Sequence, residues 1–331
     1  MNDKEILQII TTKDKDEIES LFARAYKVRE EHYGKSVYIR GLIEITNHCK
    51  NNCYYCGIRC SNTKLERYRL SIDQILDCCH TGDKLGLKTF VLQGGEDSFF
   101  TGEYVTEIIS AIRNDFPEHA ITLSLGERSA SDYELFFKAG ANRYLLRHET
   151  ASDAHYAELH PSSMTLAARK NCLWKLKEIG YQVGAGFMIG TPHQTPETLL
   201  ADIRFMEELQ PQMAGIGPFI PQKDTPFGTH PHGNIDLCLR MLALVRILLP
   251  KALIPATTAM GTISPNGREY ALNAGANVVM PNLSPITVKK LYSIYDNKAS
   301  SGAEAAENLS FLKEKIINAG FLPDLSRGDA K

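Results

Sequence analysis

The chain has 331 residues, enough for two average domains or for one large α/β barrel with extensions. Its 37 lysines and arginines nearly balance its 39 aspartates and glutamates, which argues against a nucleic-acid binder that depends on a basic surface. A hydrophobic content of 43% excludes disordered and fibrous classes, and no apolar run approaches the ~20 residues that a membrane span requires. Because the N-terminal residues are charged and carry no apolar signal core, we expect a cytoplasmic protein.

The first predicted element is a helical stretch around Ile18 and Leu21. From about residue 40 onward, short apolar runs bounded by Gly, Pro or Asn alternate with amphipathic helix patterns, which is typical of buried parallel strands and their crossover helices. The predicted strands are Leu42–Thr46, Thr89–Gln93, Ile121–Leu125, Arg143–His148, Val183–Met188, Ala214–Pro218, Leu253–Thr257 and Asn277–Pro281. A predicted helix around Leu309 and Leu312 follows them.

Strands that alternate with helices in this way predict a closed (β/α)₈ barrel of the TIM type, and a doubly wound open sheet is the alternative that the pattern leaves open. We expect an N-terminal helical extension over residues 1–35, the barrel over residues 36–300 and a C-terminal helical cap over residues 301–331. The chemistry of such a barrel lies on the loops that follow its strands, so the residues at the C-terminal ends of the strands are the candidates for function.

Four of the eight cysteines, Cys49, Cys53, Cys56 and Cys60, fall close together directly after the first predicted strand. In a reducing compartment such a cluster indicates metal ligands rather than disulfides. Three thiolates spaced CxxxCxxC can hold three irons of a 4Fe–4S cube and leave the fourth iron open to chelate an amino acid. Two alternatives stay open: a structural zinc site with His48 or Cys60 as fourth ligand, and a fully ligated electron-carrier cluster that uses Cys60.

The cysteine loop resembles the signature of radical S-adenosylmethionine (SAM) enzymes, because aromatic Tyr55 precedes the last cysteine of the CxxxCxxC spacing and a barrel strand precedes the first. The resemblance implies that the open iron binds SAM. It further implies that one electron from the cluster cleaves SAM to methionine and a 5′-deoxyadenosyl radical. Cys49, Cys53 and Cys56 are then both the metal ligands and the catalytic centre.

The next two strand ends carry groups that suit a polar ligand. Gly94 and Gly95 let a ligand approach the backbone, and the Glu96 carboxylate can receive an ammonium group, although Gly-Gly-Glu is also an ordinary turn. In radical SAM enzymes a Gly-Gly-Glu stretch at this place contacts the SAM amino group. Thr122 and Ser124 share one face of the third strand, as a polar floor under SAM or as hydroxyls bonded within the barrel.

The fourth strand ends in the ionisable run Arg147-His148-Glu149. Buried charges are costly unless they are paired, so this run indicates a polar cavity, with a purely structural ion pair as the alternative. Glu149 could hold ribose hydroxyls, and Arg147 could bind a substrate carboxylate with two hydrogen bonds. Arg169, near the start of the following helix, is a candidate for the SAM carboxylate or else lies on a solvated face.

The motifs GLIEITNHCKNNCYYCGIR, LQGGED, TLSLGE, RYLLRHET, GIGPFIP, IPATTAMGT and GANVVMPN extend the resemblance to the HydE family of FeFe-hydrogenase maturation enzymes, relatives of biotin synthase and methylornithine synthase. The resemblance implies an organometallic substrate, an iron complex of carbon monoxide, cyanide and cysteine made by the maturase HydG. The adenosyl radical would act on it towards a diiron subcluster, and the product would pass to HydF through transient contacts. The residues implied on the SAM side are Gly94, Gly95, Glu96, Thr122, Ser124, Glu149 and Arg169. Those implied on the substrate side are Arg147, Thr257, Thr258, Met280, Tyr292 and Tyr295, the two tyrosines on a predicted helix where simple packing is the alternative.

Some members of this family carry extra cysteines near the C-terminus that bind an accessory cluster. No cysteine follows Cys238 here, so we do not expect such a cluster. Two other functions stay open: an enzyme of the same architecture that acts on a small amino acid, similar to methylornithine synthase, and a non-catalytic iron–sulfur scaffold. The Gly-Gly-Glu and Arg-His-Glu strand ends argue against the scaffold.

Overall fold

The structure is a computed structural model that describes residues 1–298 and 306–331. Its strands are β1 (Ser36–Ile39), β2 (Gly41–Thr46), β3 (Thr89–Gly94), β4 (Ala120–Ser124), β5 (Arg143–Leu145), β6 (Gln182–Ala185), β7 (Met188–Ile189), β8 (Met213–Ala214), β9 (Gly217–Pro218), β10 (Val278–Val279) and β11 (Leu322–Asp324). Its α-helices are α1 (Asp3–Thr11), α2 (Lys15–Tyr33), α3 (Ile72–Lys84), α4 (Gly102–Asp115), α5 (Ala130–Ala139), α6 (Asp153–Leu159), α7 (Leu166–Ile179), α8 (Pro196–Leu209), α9 (Ile235–Leu248), α10 (Thr258–Ile263), α11 (Gly267–Asn273), α12 (Ile286–Lys289) and α13 (Leu309–Asn318).

The strands close into a parallel barrel. Strands β2, β3, β4, β5, β6 and β8 pair in that order and in parallel. Parallel bridges at Met213–Leu253 and Pro255–Val278 continue the ring, β10 pairs with β1, and a bridge from Leu42 to Asn282 completes it. The predicted (β/α)₈ barrel is therefore confirmed, and the open doubly wound sheet is excluded because the last strand returns to the first.

Several barrel strands are shorter or more broken than the sequence predicts. The predicted strand Val183–Met188 divides into β6 and β7, and Ala214–Pro218 divides into β8 and β9. At the break, a Cβ on Gly186 would lie 2.0 Å from the Gly215 carbonyl oxygen. The two neighbouring backbone segments therefore lie closer together there than a side chain would allow.

Two strands of the structure were not predicted from the sequence. Strand β1 precedes β2 with only Arg40 between them, and β11 pairs in parallel with β1 near the C-terminus. Strand β11 contains Pro323, a residue that central strands avoid, and Leu322 is exposed. The C-terminal region therefore combines α13, a short edge strand and a tail, rather than a helix alone.

The C-terminal tail closes the end of the barrel where the strands begin. Arg143, the first residue of β5, donates hydrogen bonds to the carbonyl oxygens of Arg327 (2.9 Å) and Gly328 (3.1 Å) and pairs with Asp329 at 2.7 Å. Arg40 donates to the same Gly328 carbonyl at 3.0 Å. Both arginines are buried, and the chain itself supplies most of their partners.

The barrel interior and the surrounding helices share a large hydrophobic core, which includes Ile43, Leu92 and Leu123 from neighbouring strands. The cysteines outside the cluster loop lie on helices α3, α7 and α9, as the sequence predicts, and are buried or partly buried there: Cys78, Cys79, Cys172 and Cys238. Within the described part of the chain, the helices are too short or too polar to cross a lipid bilayer.

Candidate active site

A cavity of about 340 Å³ opens at the end of the barrel where the strands finish. It brings together most of the residues that the sequence singles out. The predicted residues that line it are Cys49, Cys53, Cys56, Gly94, Gly95, Glu96, Ser124, Arg147, Glu149, Arg169, Thr257, Thr258, Met280, Tyr292 and Tyr295. Thr122 is the exception: it lies two residues before Ser124 on β4, is buried, and does not line the cavity. Only the last polar residue of β4 reaches the ligand space.

The three cysteines of the CxxxCxxC spacing share this cavity, whereas Cys60 is exposed and faces a separate hollow on the outside of the loop. Burial raises the pKa of Cys49 and of Cys53, and it raises the pKa of Cys56 to about 12. Such thiols become thiolates when a bound cation compensates their charge. The donor set therefore suits an iron–sulfur cluster with three protein ligands, and the placement of Cys60 argues against its use as a fourth ligand.

The aromatic residue before the last cysteine anchors the cluster loop. The Tyr55 hydroxyl donates a hydrogen bond to Nε2 of His160 at 3.1 Å, and the Tyr55 and His160 rings pack edge to face. His160 in turn donates from Nδ1 to the carbonyl oxygen of Tyr156 at 2.9 Å, which leaves Nε2 as the acceptor. Burial lowers the pKa of His160 to about 4, so the ring stays neutral and the anchor is uncharged.

The Gly-Gly-Glu stretch packs directly under the cysteine loop. A Cβ on Gly95 would lie 2.2 Å from the His48 carbonyl oxygen and 2.7 Å from Cβ of Cys49, so no side chain fits there. Glu96 is buried beside it and accepts a hydrogen bond from the Glu127 backbone N–H at 2.9 Å. The stretch is thus more than an exposed turn, because it fixes a carboxylate next to the first cysteine.

Arg169 lies in the cavity wall, not on a solvated helix face, with 9% of its side chain exposed. Its Nε is 2.8 Å from Oε1 of Glu127, and its Nη2 is 3.8 Å from Oε1 of Glu96. Burial lowers the pKa of Arg169, but Glu127, Tyr156 and Glu96 together outweigh burial, and the net pKa is raised. Glu127 is not among the predicted site residues, although it ends the motif TLSLGE just after a strand, and that position is the signal that could have identified it.

Arg147 and Glu149 form an ion pair of 3.2 Å between Nη2 and Oε2. In the described structure, Nε and Nη2 of Arg147 and Oε2 of Glu149 are buried without a hydrogen bond of good geometry, and the Oγ1 atom of Thr257 is also unbonded. Glu149 has a φ of 67°, a left-handed conformation that is unusual for a residue with a side chain. Buried polar atoms whose hydrogen bonds are incomplete indicate a ligand that completes them.

The opposite wall holds a buried ion pair that the sequence analysis missed. Oε1 of Glu44 on β2 lies 2.6 Å from Nζ of Lys298, and Oε2 accepts from Nδ2 of Asn282 at 2.8 Å. Burial raises the pKa of Glu44, although Lys298 partly opposes this. A charged residue inside the apolar run Leu42–Thr46 was the available signal for Glu44; nothing in the sequence pattern indicated Lys298.

The predicted helix for Tyr292 and Tyr295 is wrong. Helix α12 ends at Lys289, and both tyrosines lie on the irregular chain that follows, which crosses the mouth of the barrel. Gln93 donates to the Tyr292 hydroxyl at 3.3 Å, so the tyrosine is held from the second barrel strand. The chain between the two tyrosines contacts the cysteine loop, because the Gly57 N–H donates a hydrogen bond to the Ile294 carbonyl oxygen at 2.9 Å.

Comparisons with known proteins bear on this site. Residues 43–206 match the model of the radical SAM superfamily. The chain is 45% identical over 296 residues to the FeFe hydrogenase maturase subunit HydE of Thermotoga maritima. The aligned region covers 89% of this chain and 84% of that protein. The solved structure of methylornithine synthase (PylB) has a TM-score of 0.86 at 25% identity and covers 98% of this chain and 94% of that one. The FeFe-hydrogenase maturase HydG of Carboxydothermus hydrogenoformans has a TM-score of 0.82 at 23% identity, with 98% and 76% covered, and so shares the fold.

Proposed function

The chain belongs to the radical SAM superfamily and, within it, to the HydE family of FeFe-hydrogenase maturases, and on this premise we propose that its substrate is a cysteine-bound iron–carbonyl–cyanide complex. It is a radical SAM enzyme of hydrogenase maturation that uses a 4Fe–4S cluster and cleaves SAM reductively. In the proposed reaction the complex is converted towards the diiron subcluster of the hydrogenase. HydG would supply the complex, and HydF would receive the product, each through transient contact.

The observation that carries the proposal is a single cavity lined both by the three cysteines and by the Arg147–Glu149 pair, which we divide into a SAM side and a substrate side. On one side Cys49, Cys53 and Cys56 would hold the cluster; the bound cluster and SAM supply one electron and an adenosyl radical. Glu96, above the glycine pair Gly94 and Gly95, is assigned to the SAM ammonium group, Glu149 to its ribose and Arg169 to its carboxylate. Ser124 would contribute a hydroxyl from the cavity wall. Thr122 is left out of this assignment because it lies below the cavity lining.

On the other side, the described groups suit a small anionic substrate that carries an amino acid. Arg147, whose Nε and Nη2 make no hydrogen bond, would bind the carboxylate of the cysteine ligand. Thr257 and Thr258 would donate or accept hydrogen bonds at the polar ligands. Met280, Tyr292 and Tyr295 would exclude water and hold the complex close to the adenosyl group.

A second candidate function has one observation in its favour. Methylornithine synthase has the same architecture over nearly its whole length, and the Arg147–Glu149 pair could receive the carboxylate and ammonium groups of a free amino acid. An enzyme of this kind would rearrange or assemble a small amino acid and would need no iron complex.

One experiment distinguishes the two candidate functions. The protein is reconstituted anaerobically with iron and sulfide, and EPR of the reduced protein is recorded with and without SAM. We expect a 4Fe–4S signal whose g-values shift with SAM. 5′-Deoxyadenosine is then measured with a synthetic iron–carbonyl–cyanide–cysteine complex and, separately, with a panel of free amino acids. The complex should stimulate cleavage; stimulation by an amino acid and not by the complex would favour the second function.

Arg147→Gln sharpens the same assay. It should raise the concentration of the complex needed for half-maximal stimulation by about tenfold or more, the size expected when one charged hydrogen-bonding partner is lost. The SAM-induced EPR shift should remain, because Arg147 is assigned to the substrate. Arg204→Gln, on the outer surface of α8, is the matched control and should change neither quantity.

A further inference from the structure

A second hollow, of about 210 Å³, lies on the outer side of the cysteine loop. Cys49 lines both this hollow and the active-site cavity, so the hollow reaches one of the proposed cluster ligands from the outer side of the loop. The other residues of the hollow, which we call the outer hollow, are His48, Lys50, Cys60, Arg67, Arg69, Asp97 and Ser98. Nothing in the chemistry proposed above uses this face.

The outer hollow is positively charged although the whole chain has a net charge of −2. It contains three permanent cations and one carboxylate. Arg69 is compensated, because it makes two hydrogen bonds to Asp97 at 2.7 and 2.9 Å. Lys50 is 61% exposed, and its ammonium group lies 3.5 Å from a Glu96 carboxylate that Arg169 also approaches. The surface therefore keeps a positive excess directly over Cys49.

Arg67 contributes most of this excess. Its guanidinium donates hydrogen bonds to backbone carbonyl oxygens, those of Ile58 (2.8 Å), Arg59 (2.7 Å), Asn62 (3.0 Å) and Asn47. Carbonyl groups satisfy its donors but do not cancel its charge. Arg67 thus ties the cysteine loop together and at the same time holds a full positive charge beside it.

An exposed aromatic residue lies at the rim of the outer hollow. Phe99 is 50% exposed, and the Arg69 guanidinium lies 4.8 Å from the centre of its ring. Aromatic residues and arginines are the residue types enriched in protein interfaces. A cationic face with an aromatic rim fits a protein partner better than a small anion.

We propose that the outer hollow is the docking surface for an acidic, low-potential, one-electron carrier protein that reduces the cluster. The inference rests on the radical SAM chemistry of the proposed function, which consumes one electron for each SAM cleaved. In the step, the carrier is oxidised by one electron and the cluster held by Cys49, Cys53 and Cys56 is reduced by one electron; no atom or proton moves with it. Electron-transfer complexes are small and weak, so complementary charge chiefly speeds their encounter.

The test uses the reconstituted holoenzyme and a plant-type 2Fe–2S ferredoxin of net negative charge. Binding of the oxidised ferredoxin is measured by titration calorimetry, which requires no turnover. Cleavage of SAM is measured with reduced ferredoxin and, in parallel, with photoreduced 5-deazariboflavin, a small reductant that needs no docking surface. The ratio of the two rates isolates electron delivery from any effect on SAM binding.

Lys50→Glu should weaken ferredoxin binding and lower the rate ratio, each by about tenfold, because it replaces attraction by like-charge repulsion. Raising the salt concentration should weaken wild-type binding as well. Phe99→Ala, an uncharged change at the rim, should lower both quantities less and independently of salt. Lys138→Glu, which makes the same charge change at an exposed lysine of α5 outside the hollow, is the matched control and should match the wild type.

Three results would overturn the docking surface: wild-type ferredoxin affinity in Lys50→Glu, an equal loss in Lys138→Glu, or failure of ferredoxin to reduce a wild-type enzyme that deazariboflavin does reduce. Failure of SAM cleavage with deazariboflavin would instead contradict the proposed function. Ferredoxin binding would still report on the surface in that case, so the two failures are distinguishable.

Discussion

Arginine residues lie at both ends of the barrel, but their surroundings differ. At the end where the strands begin, Arg143 and Arg40 bind the carbonyl groups and the carboxylate of the C-terminal tail. At the end where the strands finish, Arg147 faces a cavity, and among the described residues its guanidinium has only the ion pair with Glu149. The chain satisfies most of the donors at the first end, where only Nε of Arg143 and of Arg40 lacks a hydrogen bond within the described structure, and leaves more of that task to a ligand at the second.

This difference distinguishes charged residues that stabilise the fold from charged residues that are available to bind a ligand. A buried charge costs free energy unless it is paired and hydrogen-bonded, so a chain that leaves one incompletely paired at a cavity indicates a binding site. Changes at the strand ends should therefore affect SAM and substrate, whereas changes at the tail should affect the free energy of unfolding. The following predictions test that separation, from the largest expected effect to the smallest.

Cys56→Ala should abolish SAM cleavage, because it removes one of the three thiolates assigned to the cluster. The thiol is small, so the loss of buried surface should lower the free energy of unfolding of the apo chain by only ~1 kcal/mol. 5′-Deoxyadenosine formation measures SAM cleavage, and unfolding followed by circular dichroism measures the free energy of unfolding. Cys60→Ala, at the exposed cysteine four residues later, is the control; loss of cleavage there, or full cleavage in Cys56→Ala, would contradict the ligand assignment.

Arg169→Gln should both weaken SAM binding and destabilise the fold, because it leaves the carboxylates of Glu127 and Glu96 without their shared cation. Removing one partner of a buried ion pair costs about 3 kcal/mol. Urea unfolding measures the stability, and titration of the EPR signal measures the SAM affinity. Lys175→Gln, on the exposed side of the same helix, should change neither; normal SAM affinity in Arg169→Gln would remove Arg169 from the SAM site.

His160 should make stability depend on pH. Its pKa is about 4 in the folded protein, against 6.5 as the reference value, so below pH 6.5 the unfolded chain binds a proton that the folded chain does not. The free energy of unfolding should therefore fall as the pH is lowered from 6.5 to 4, by about 3 kcal/mol from this group. His160→Gln should flatten that fall in urea unfolding measured across the range, and exposed His193→Gln should leave it unchanged. An unaltered slope in His160→Gln would contradict a buried neutral ring.

Asp329→Asn addresses the opposite end of the barrel and should have the smallest effect. Asp329 is partly exposed, so the loss of its ion pair with Arg143 should lower the free energy of unfolding by only about 1 kcal/mol. The rate of SAM cleavage per folded molecule should not change. Glu314→Gln on α13 is the control for removal of one negative charge near the C-terminus. A loss of cleavage in Asp329→Asn would show that the two ends are coupled.

Most of the predicted residues that line the cavity follow barrel strands, whereas Arg169, Tyr292 and Tyr295 do not. Cys49 and Met280 lie far apart in the sequence, yet both line the cavity. Parallel barrel strands all finish at one face, so a residue that follows a strand is placed there by the topology alone. Thr122 breaks the pattern because it lies two residues earlier on β4, where the strand is still inside the barrel.

The assignment of Cys49, Cys53 and Cys56 as cluster ligands rests on the resemblance to radical SAM enzymes. Local spacing along the chain is enough to place the cysteine cluster and the Gly-Gly-Glu stretch directly after strands, and to predict the order of strands and helices and the face of the barrel that carries chemistry. Each of these follows from short-range geometry and the repeating direction of the strands. The Glu44–Lys298 pair, 254 residues apart, the Arg169–Glu127 contact, the tail under Arg143 and the irregular path of Tyr292 and Tyr295 emerge only when the barrel closes. Their partners are chosen by which loops meet across the barrel ends, and no periodicity within one segment carries that information.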